Sequence, residues 1–124
     1  MIKMEAPPPA PTPPVLALVR DLIFASKISA TARAIGVAYL IVRDPARLTD
    51  QPGDLLLVDL NEPGAIEAAA AWGQHHSRPV VGFVSHVDAA RIAHARDAGI
   101  SRVMARSAFV EALPQLLAAA GPVK

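Results

Sequence analysis

Two aspartates, Asp21 and Asp59, are the residues of this chain best placed to do chemistry. Asp59 ends the run Asp54-Leu55-Leu56-Leu57-Val58-Asp59 and is followed by Leu60-Asn61-Glu62-Pro63-Gly64. Apolar residues in an unbroken row between two aspartates, with a Pro-Gly break just after, read as a short strand buried on both faces, the kind found inside parallel sheets. Asp59 then falls at the C-terminal tip of that strand. Open α/β sheets build their sites outside such tips, where the strand order reverses. Asp21 follows a second apolar run, Val15 to Val19, and Arg20. If the two strands are neighbours, they deliver two carboxylates to one cleft. The alternative is structural, because aspartate is also a good N-cap and can close a strand and open the helix behind it.

Other constellations carry less. His75 and His76 are adjacent, so on a helix they point about 100° apart, and His86 and His94 are eight residues apart. No pair has i,i+4 or His-x-His spacing and there is no cysteine, so a histidine or thiolate metal site is not expected. The histidines are expected to be exposed, and Arg91 and Arg96 to lie on solvated helix faces. The turn Arg20-Asp21-Leu22-Ile23 has no glycine to let a phosphate approach the backbone. Nor is there a Gly-x-Ser-x-Gly elbow. The chain is not expected to be an enzyme.

The elements that must hold these residues alternate along the sequence. Short apolar runs at Val15–Val19, Val37–Val42, Asp54–Asp59 and Val80–Val84, with Arg102–Ala105 as a short fifth, predict strands. The first helix, Leu22–Ile35, shows Phe24, Ile28, Ala32 and Ile35 at three- and four-residue spacing, with Gly36 as its C′ residue. Asp44-Pro45 opens a short second helix, Ala46 to Leu48. Asn61-Glu62-Pro63 starts a third, alanine-rich one that runs to Trp72 or Gln74, with Ile66, Ala69, Ala70 and Gly73 as its buried stripe. Ser85 or Asp88 caps a fourth, Val87–Ala98, ended by Gly99. Ser107 caps a fifth through Ala120, with Phe109, Leu113, Leu116 and Leu117 facing inward, and Gly121-Pro122 stops the chain. Pro114 conflicts with that last helix, since an interior proline removes a hydrogen bond and costs about 3 kcal/mol; a kink, or a helix starting close to Pro114, is expected. Strands alternating with helices imply right-handed βαβ units and a parallel sheet covered on both faces. The commonest doubly wound five-strand order, flavodoxin-like 2-1-3-4-5, places the tips of strands 1 and 3 side by side, and with them Asp21 and Asp59.

The composition fits one such domain. The chain has 124 residues, 52% hydrophobic and 19% charged, enough for a packed core. A net charge of +1 gives no field to favour nucleic acid or a membrane surface. Mean hydropathy is high at +0.34, yet no apolar run approaches the roughly 20 residues of a membrane span. No secretory signal is evident, and a cytoplasmic location is expected. Residues 1–14 are proline-rich, without apolar periodicity, and are expected to form an extended tail outside a domain over 15–124. Its Pro-x-x-Pro spacings, Pro8/Pro11 and Pro11/Pro14, are a docking peptide or simply the product of composition.

From Val15 to Ala120 the chain resembles a response-regulator receiver domain. Asp59-Leu60-Asn61-Glu62-Pro63-Gly64 is similar to the Asp-Leu-x-Met-Pro-Gly that ends the third strand of receivers, which puts Asp59 in the phospho-accepting position. Ser85 lies where receivers carry a serine or threonine after strand 4. The acidic pair after strand 1 is Arg20-Asp21 here, the lysine position after strand 5 carries Arg106, the proline after it is Ser107, and the aromatic switch position is Val103. The resemblance implies Mg²⁺-dependent phosphorylation of Asp59, with Asp21, Asp59 and the Asn61 carbonyl as ligands. The departures argue against it: Arg20 is expected to enter the pocket and pair with Asp59 or Asp21 in the cation's place, and Arg106 does not mimic a lysine ammonium. The reading is therefore a pseudo-receiver without a cofactor, acting on a protein partner or on itself as a homodimer through the fourth-helix, fifth-strand, fifth-helix face. The alternatives are a phospho-accepting single-domain response regulator, or a small-anion-binding flavodoxin-like protein that uses Arg20, Arg106 and Ser85.

Overall fold

The run Leu55-Leu56-Leu57-Val58 lies in the middle of the sheet, as its unbroken apolar character demands. The computed structural model describes residues 13–85, 88–100 and 102–120. Along these the order is β1 (Val15–Leu18), α1 (Leu22–Ile35), β2 (Tyr39–Val42), a 3₁₀ turn (Pro45–Arg47), β3 (Leu55–Asp59), α2 (Ala65–His76), β4 (Val80–Val84), α3 (Ala89–Asp97), β5 (Arg102–Ala105) and α4 (Arg106–Ala120). All strands are parallel in one five-stranded sheet of order β2-β1-β3-β4-β5. The expected doubly wound topology is thus the observed one. The proline-rich 1–12 segment, His86, Val87, Ser101 and the Gly121-Pro122 stop lie outside the described residues.

Strand alternation sorts the core into two layers. Val15, Ala17, Leu55 and Leu57 point to one face, where they meet Phe24, Ile28 and Ala32 of α1 and Phe109, Leu113 and Leu117 of α4. Leu16, Leu18, Leu56 and Val58 point to the other, against Ile66, Ala69 and Trp72 of α2 and Ala95 of α3. Three rings close the first layer: Phe83 stacks on Phe109 at 4.4 Å and meets Phe24 at 4.8 Å.

Several expectations need correction. The second expected helix is one 3₁₀ turn, capped by Asp44 through Ala46 N at 3.0 Å, so the helices expected as fourth and fifth are α3 and α4. Helix α2 begins at Ala65, behind Gly64 in the left-handed region at φ 78°. Its buried stripe is Ala65, Ile66, Ala69 and Trp72; the indole of Trp72 donates to the Gln51 carbonyl at 2.8 Å, tying α2 to the loop before β3. Ile35 of α1 is 39% exposed rather than buried. Helix α4 starts at Arg106 and runs through Pro114 without ending there. Leu113, Leu116 and Leu117 are buried on either side of the proline, while Pro114 itself faces solvent. That packing holds the helix together across the missing bond.

Candidate functional site

The topology brings Asp21, Asp59, Asn61, Ser85 and Arg106 to the C-terminal edge of the sheet. Strands β1 and β3 pair in register, Leu18 opposite Val58, so their tips adjoin. Asp59 is the last residue of β3 and pairs with Phe83 of β4. Ser85 follows β4, and Arg106 follows β5.

Asp59 is buried, 8% exposed, and its Oδ1 accepts a hydrogen bond from the Asn61 amide at 3.0 Å. Burial pushes its carboxyl above the usual aspartate range; the Asn61 amide and the Arg106 guanidinium pull it back, the Asp21 charge adds to the rise, and Arg91 opposes it. The last three influences show that these charges act on one another across the cleft. The Asn61 side chain spans two loops, its Oδ1 accepting from the Ser85 amide at 2.7 Å. The segment after β3 is thereby fastened to the segment after β4.

Both carboxylate oxygens of Asp21 have partners. One carboxylate oxygen caps α1, accepting from Ile23 N at 2.9 Å and Phe24 N at 3.2 Å. The other meets Arg106 Nη2 at 3.4 Å. The capping amide of Phe24, with that of Ile23 and the Arg106 guanidinium, holds the Asp21 carboxyl below its ordinary value against the opposing effect of desolvation. The Arg106 guanidinium also lies 4.3 Å over the Phe24 ring, so it is held by an aromatic face as well as by a carboxylate.

Arg20 is exposed and lines a surface groove with Arg43, Asp44 and Pro45. The expected contact with Asp59 or Asp21 is absent among the described residues; the guanidinium that reaches Asp21 belongs to Arg106 instead. The reason is direction: Arg20 leaves the strand on the β2 side, where its carbonyl accepts from Arg43 Nη2 at 3.2 Å. Of the two sequence readings of Asp21, the helix cap is the one its hydrogen bonds show.

Arg91, expected on a solvated face, is a residue that the sequence reading left out of the site. It is half-buried, and its Nη1 donates to the Leu60 carbonyl at 3.0 Å, so α3 reaches back to the residue after Asp59. Its Nε is buried without a hydrogen-bond partner among the described residues, 3.6 Å from Asp88 Oδ2. Asp88 caps α3 through Arg91 N at 3.1 Å, and the Asp88-x-x-Arg91 spacing was the available signal. Of the histidines, His75 is exposed, His76 is half-buried with Nε2 2.8 Å from the Thr49 carbonyl oxygen, and His94 meets Glu67 at 3.0 Å. Among the described residues no three His, Cys, Asp or Glu side chains group to hold a metal ion.

Known structures share this architecture. A response regulator from Thermotoga maritima superposes with a TM-score of 0.70 at 16% identity, over 88% of this chain and 97% of that one. The chain has the receiver-domain fold. A CheY-like receiver domain from Methanospirillum hungatei gives 0.71 at 12% identity over 88% and 96%, and an orphan response regulator of H. pylori gives 0.71 at 18% over 89% and 98%. No family model and no curated protein matches the sequence. The receiver fold is thus kept at a sequence distance where identity alone carries little. No helix among the described residues is long and apolar enough to cross a membrane.

Proposed function

We propose that this receiver-fold chain is a pseudo-receiver, a signalling module that works by protein interaction without efficient phosphorylation of Asp59. One observation carries the reading: both oxygens of Asp21 are already engaged, by the α1 amides and by Arg106. Magnesium demands near-octahedral oxygen ligands at about 2.0–2.1 Å and binds through free carboxylates. Arg20 brings no carboxylate, and Asp59 has one oxygen on the Asn61 amide. That leaves the second Asp59 oxygen and the Asn61 carbonyl as uncommitted donors, a single carboxylate where magnesium takes one or two, which supports weak rather than dedicated binding.

Amide spectra recorded across a Mg²⁺ titration to millimolar concentration test this. The expected result is a flat response at Asp59, Asn61 and Ser85, unchanged on adding beryllofluoride. Saturable shifts there would discard the reading. The variant Arg106→Ala removes the guanidinium from Asp21 Oδ2, and should gain a Mg²⁺ response. The partner surface on this reading is the α3–β5–α4 face, supported by the edge position of β5 and the exposure of Arg102 and Ala105. Light scattering across a concentration series, with substitutions on that face, tests self-association.

A second reading, phosphorylation on Asp59, is favoured by its second oxygen, which accepts no hydrogen bond among the described residues. The beryllofluoride titration separates the two.

A further inference from the structure

A groove of about 670 Å³ opens beside the cleft, between the first turns of α1 and the start of α4. Its floor and rim are apolar: Phe24, Val84 and Val110 line it, and Ile23 stands at its edge 81% exposed. Next to Ile23, Leu22 is 63% exposed. Ile23 thus adds an aliphatic edge to the apolar side of the groove formed by Phe24, Val84 and Val110. The polar lining is two cations, Lys27 and Arg106, and two hydroxyls, Ser85 and Ser107; no aspartate or glutamate lines it.

Arg106 is set for a ligand. Its guanidinium carbon lies 4.3 Å from the Phe24 ring centroid, and among the described residues only Nη2 is used, in a 3.4 Å contact with Asp21. A guanidinium carries five N–H donors in a rigid fork whose spacing suits a carboxylate. Fixing that fork against a ring lowers the entropy lost when it binds. The volume falls within the range of small-molecule sites. An inorganic phosphate would gain nothing from Ile23, Phe24 and Val110, and a neutral apolar compound would gain nothing from the two cations.

We propose that the α1–α4 groove binds a small amphipathic carboxylate, its apolar body on Ile23, Phe24 and Val110 and its carboxylate between Lys27 and Arg106.

The test is a titration of the full chain with 2-naphthoate, followed by amide shifts, in buffer without Mg²⁺ so that the result is independent of Asp59 phosphorylation. Saturable shifts confined to the groove are expected. The neutral 2-naphthylmethanol should bind about tenfold more weakly, as loss of a charge-assisted pair implies. Inorganic phosphate should leave Ile23 and Val110 unmoved. Lys27→Gln and Arg106→Gln should each weaken naphthoate binding by about fivefold or more on the same ground. Ile23→Ser should weaken it too; this side chain is exposed, so the fold does not depend on it. Shifts that fail to saturate, that fall outside the groove, that are equal for the alcohol, or that survive Lys27→Gln unchanged would overturn the proposal. So would shifts at Ile23 that follow protein concentration alone, which would give the surface to a second copy of the chain.

Discussion

At the scale of single residues, the two aspartates of the cleft respond oppositely to pH. Burial raises the Asp59 carboxyl above its unfolded value, so the folded chain holds that proton more tightly than the unfolded one. Ionisation of Asp59 therefore takes stability away as pH rises from about 4, the unfolded value, through the folded one. Asp59→Asn should raise the melting temperature at neutral pH, and the gain should vanish near pH 3. Asp21 is held below its unfolded value by the amides it caps and by Arg106. Its contribution is present above the unfolded value and is lost as pH falls through the folded one. Asp21→Ala should lower the melting temperature at pH 7 and matter much less in acid, whereas Asp21→Asn should keep most of the cap. Thermal unfolding across a pH series checks both signs; parallel curves for Asp59→Asn and the parent chain would contradict the first.

At the scale of elements, the loop after β3 depends on a glycine of the adjacent strand, Gly82 of β4. A Cβ at Gly82 would lie 2.6 Å from Leu60 Cδ1 and 2.8 Å from Leu60 Cγ. Leu60 sits between Asp59 and Asn61, is fully buried, and offers its carbonyl to Arg91. Gly82→Ala should destabilise by about 1–3 kcal/mol, the usual cost of overpacking, and should shift the Asn61 and Ser85 amides; urea unfolding and amide spectra measure the two effects. In α4, Pro114→Ala restores a donor at an exposed position and should stabilise by about 1–3 kcal/mol, up to the helix cost of proline. Much of this level could be read in advance. Strand runs, the α1 boundaries and the Gly36 cap follow from periodicity and turn chemistry; the strand order is the commonest of its class and sets Asp21 beside Asp59, while Asn61, Ser85 and Arg106 join them only through the resemblance to receivers. What could not be read were side-chain directions at the ends of elements. Arg20 leaves a strand within a turn whose geometry neighbouring residues decide. Arg91 sits on a helix of weak amphipathicity, and its role depends on a carbonyl thirty-one positions away. Trp72 shifts the α2 stripe because it reaches a loop carbonyl, which no spacing rule records.

At the scale of the whole molecule, β3 is the centre: every residue of it is buried, and it is bonded to strands on both sides. Hydrogen exchange should be slowest at Leu56, Leu57 and Val58 and approach the global unfolding limit there. Edge strands β2 and β5, with exposed Leu40, Arg102 and Ala105, should exchange sooner. Slowest exchange in α4 instead would place the most stable unit there rather than in β3.

The chain enters β1 from Pro14, whose carbonyl accepts from the Asp54 amide at 3.1 Å. That junction lies at the pole of the sheet opposite Asp59 and Arg106, a strand length of roughly 13 Å away. A surface anchor or fluorophore attached at Pro14 itself therefore tethers the molecule by its base. The cleft and its neighbouring groove would face the solution, ready for immobilised capture assays without obstruction by the linkage.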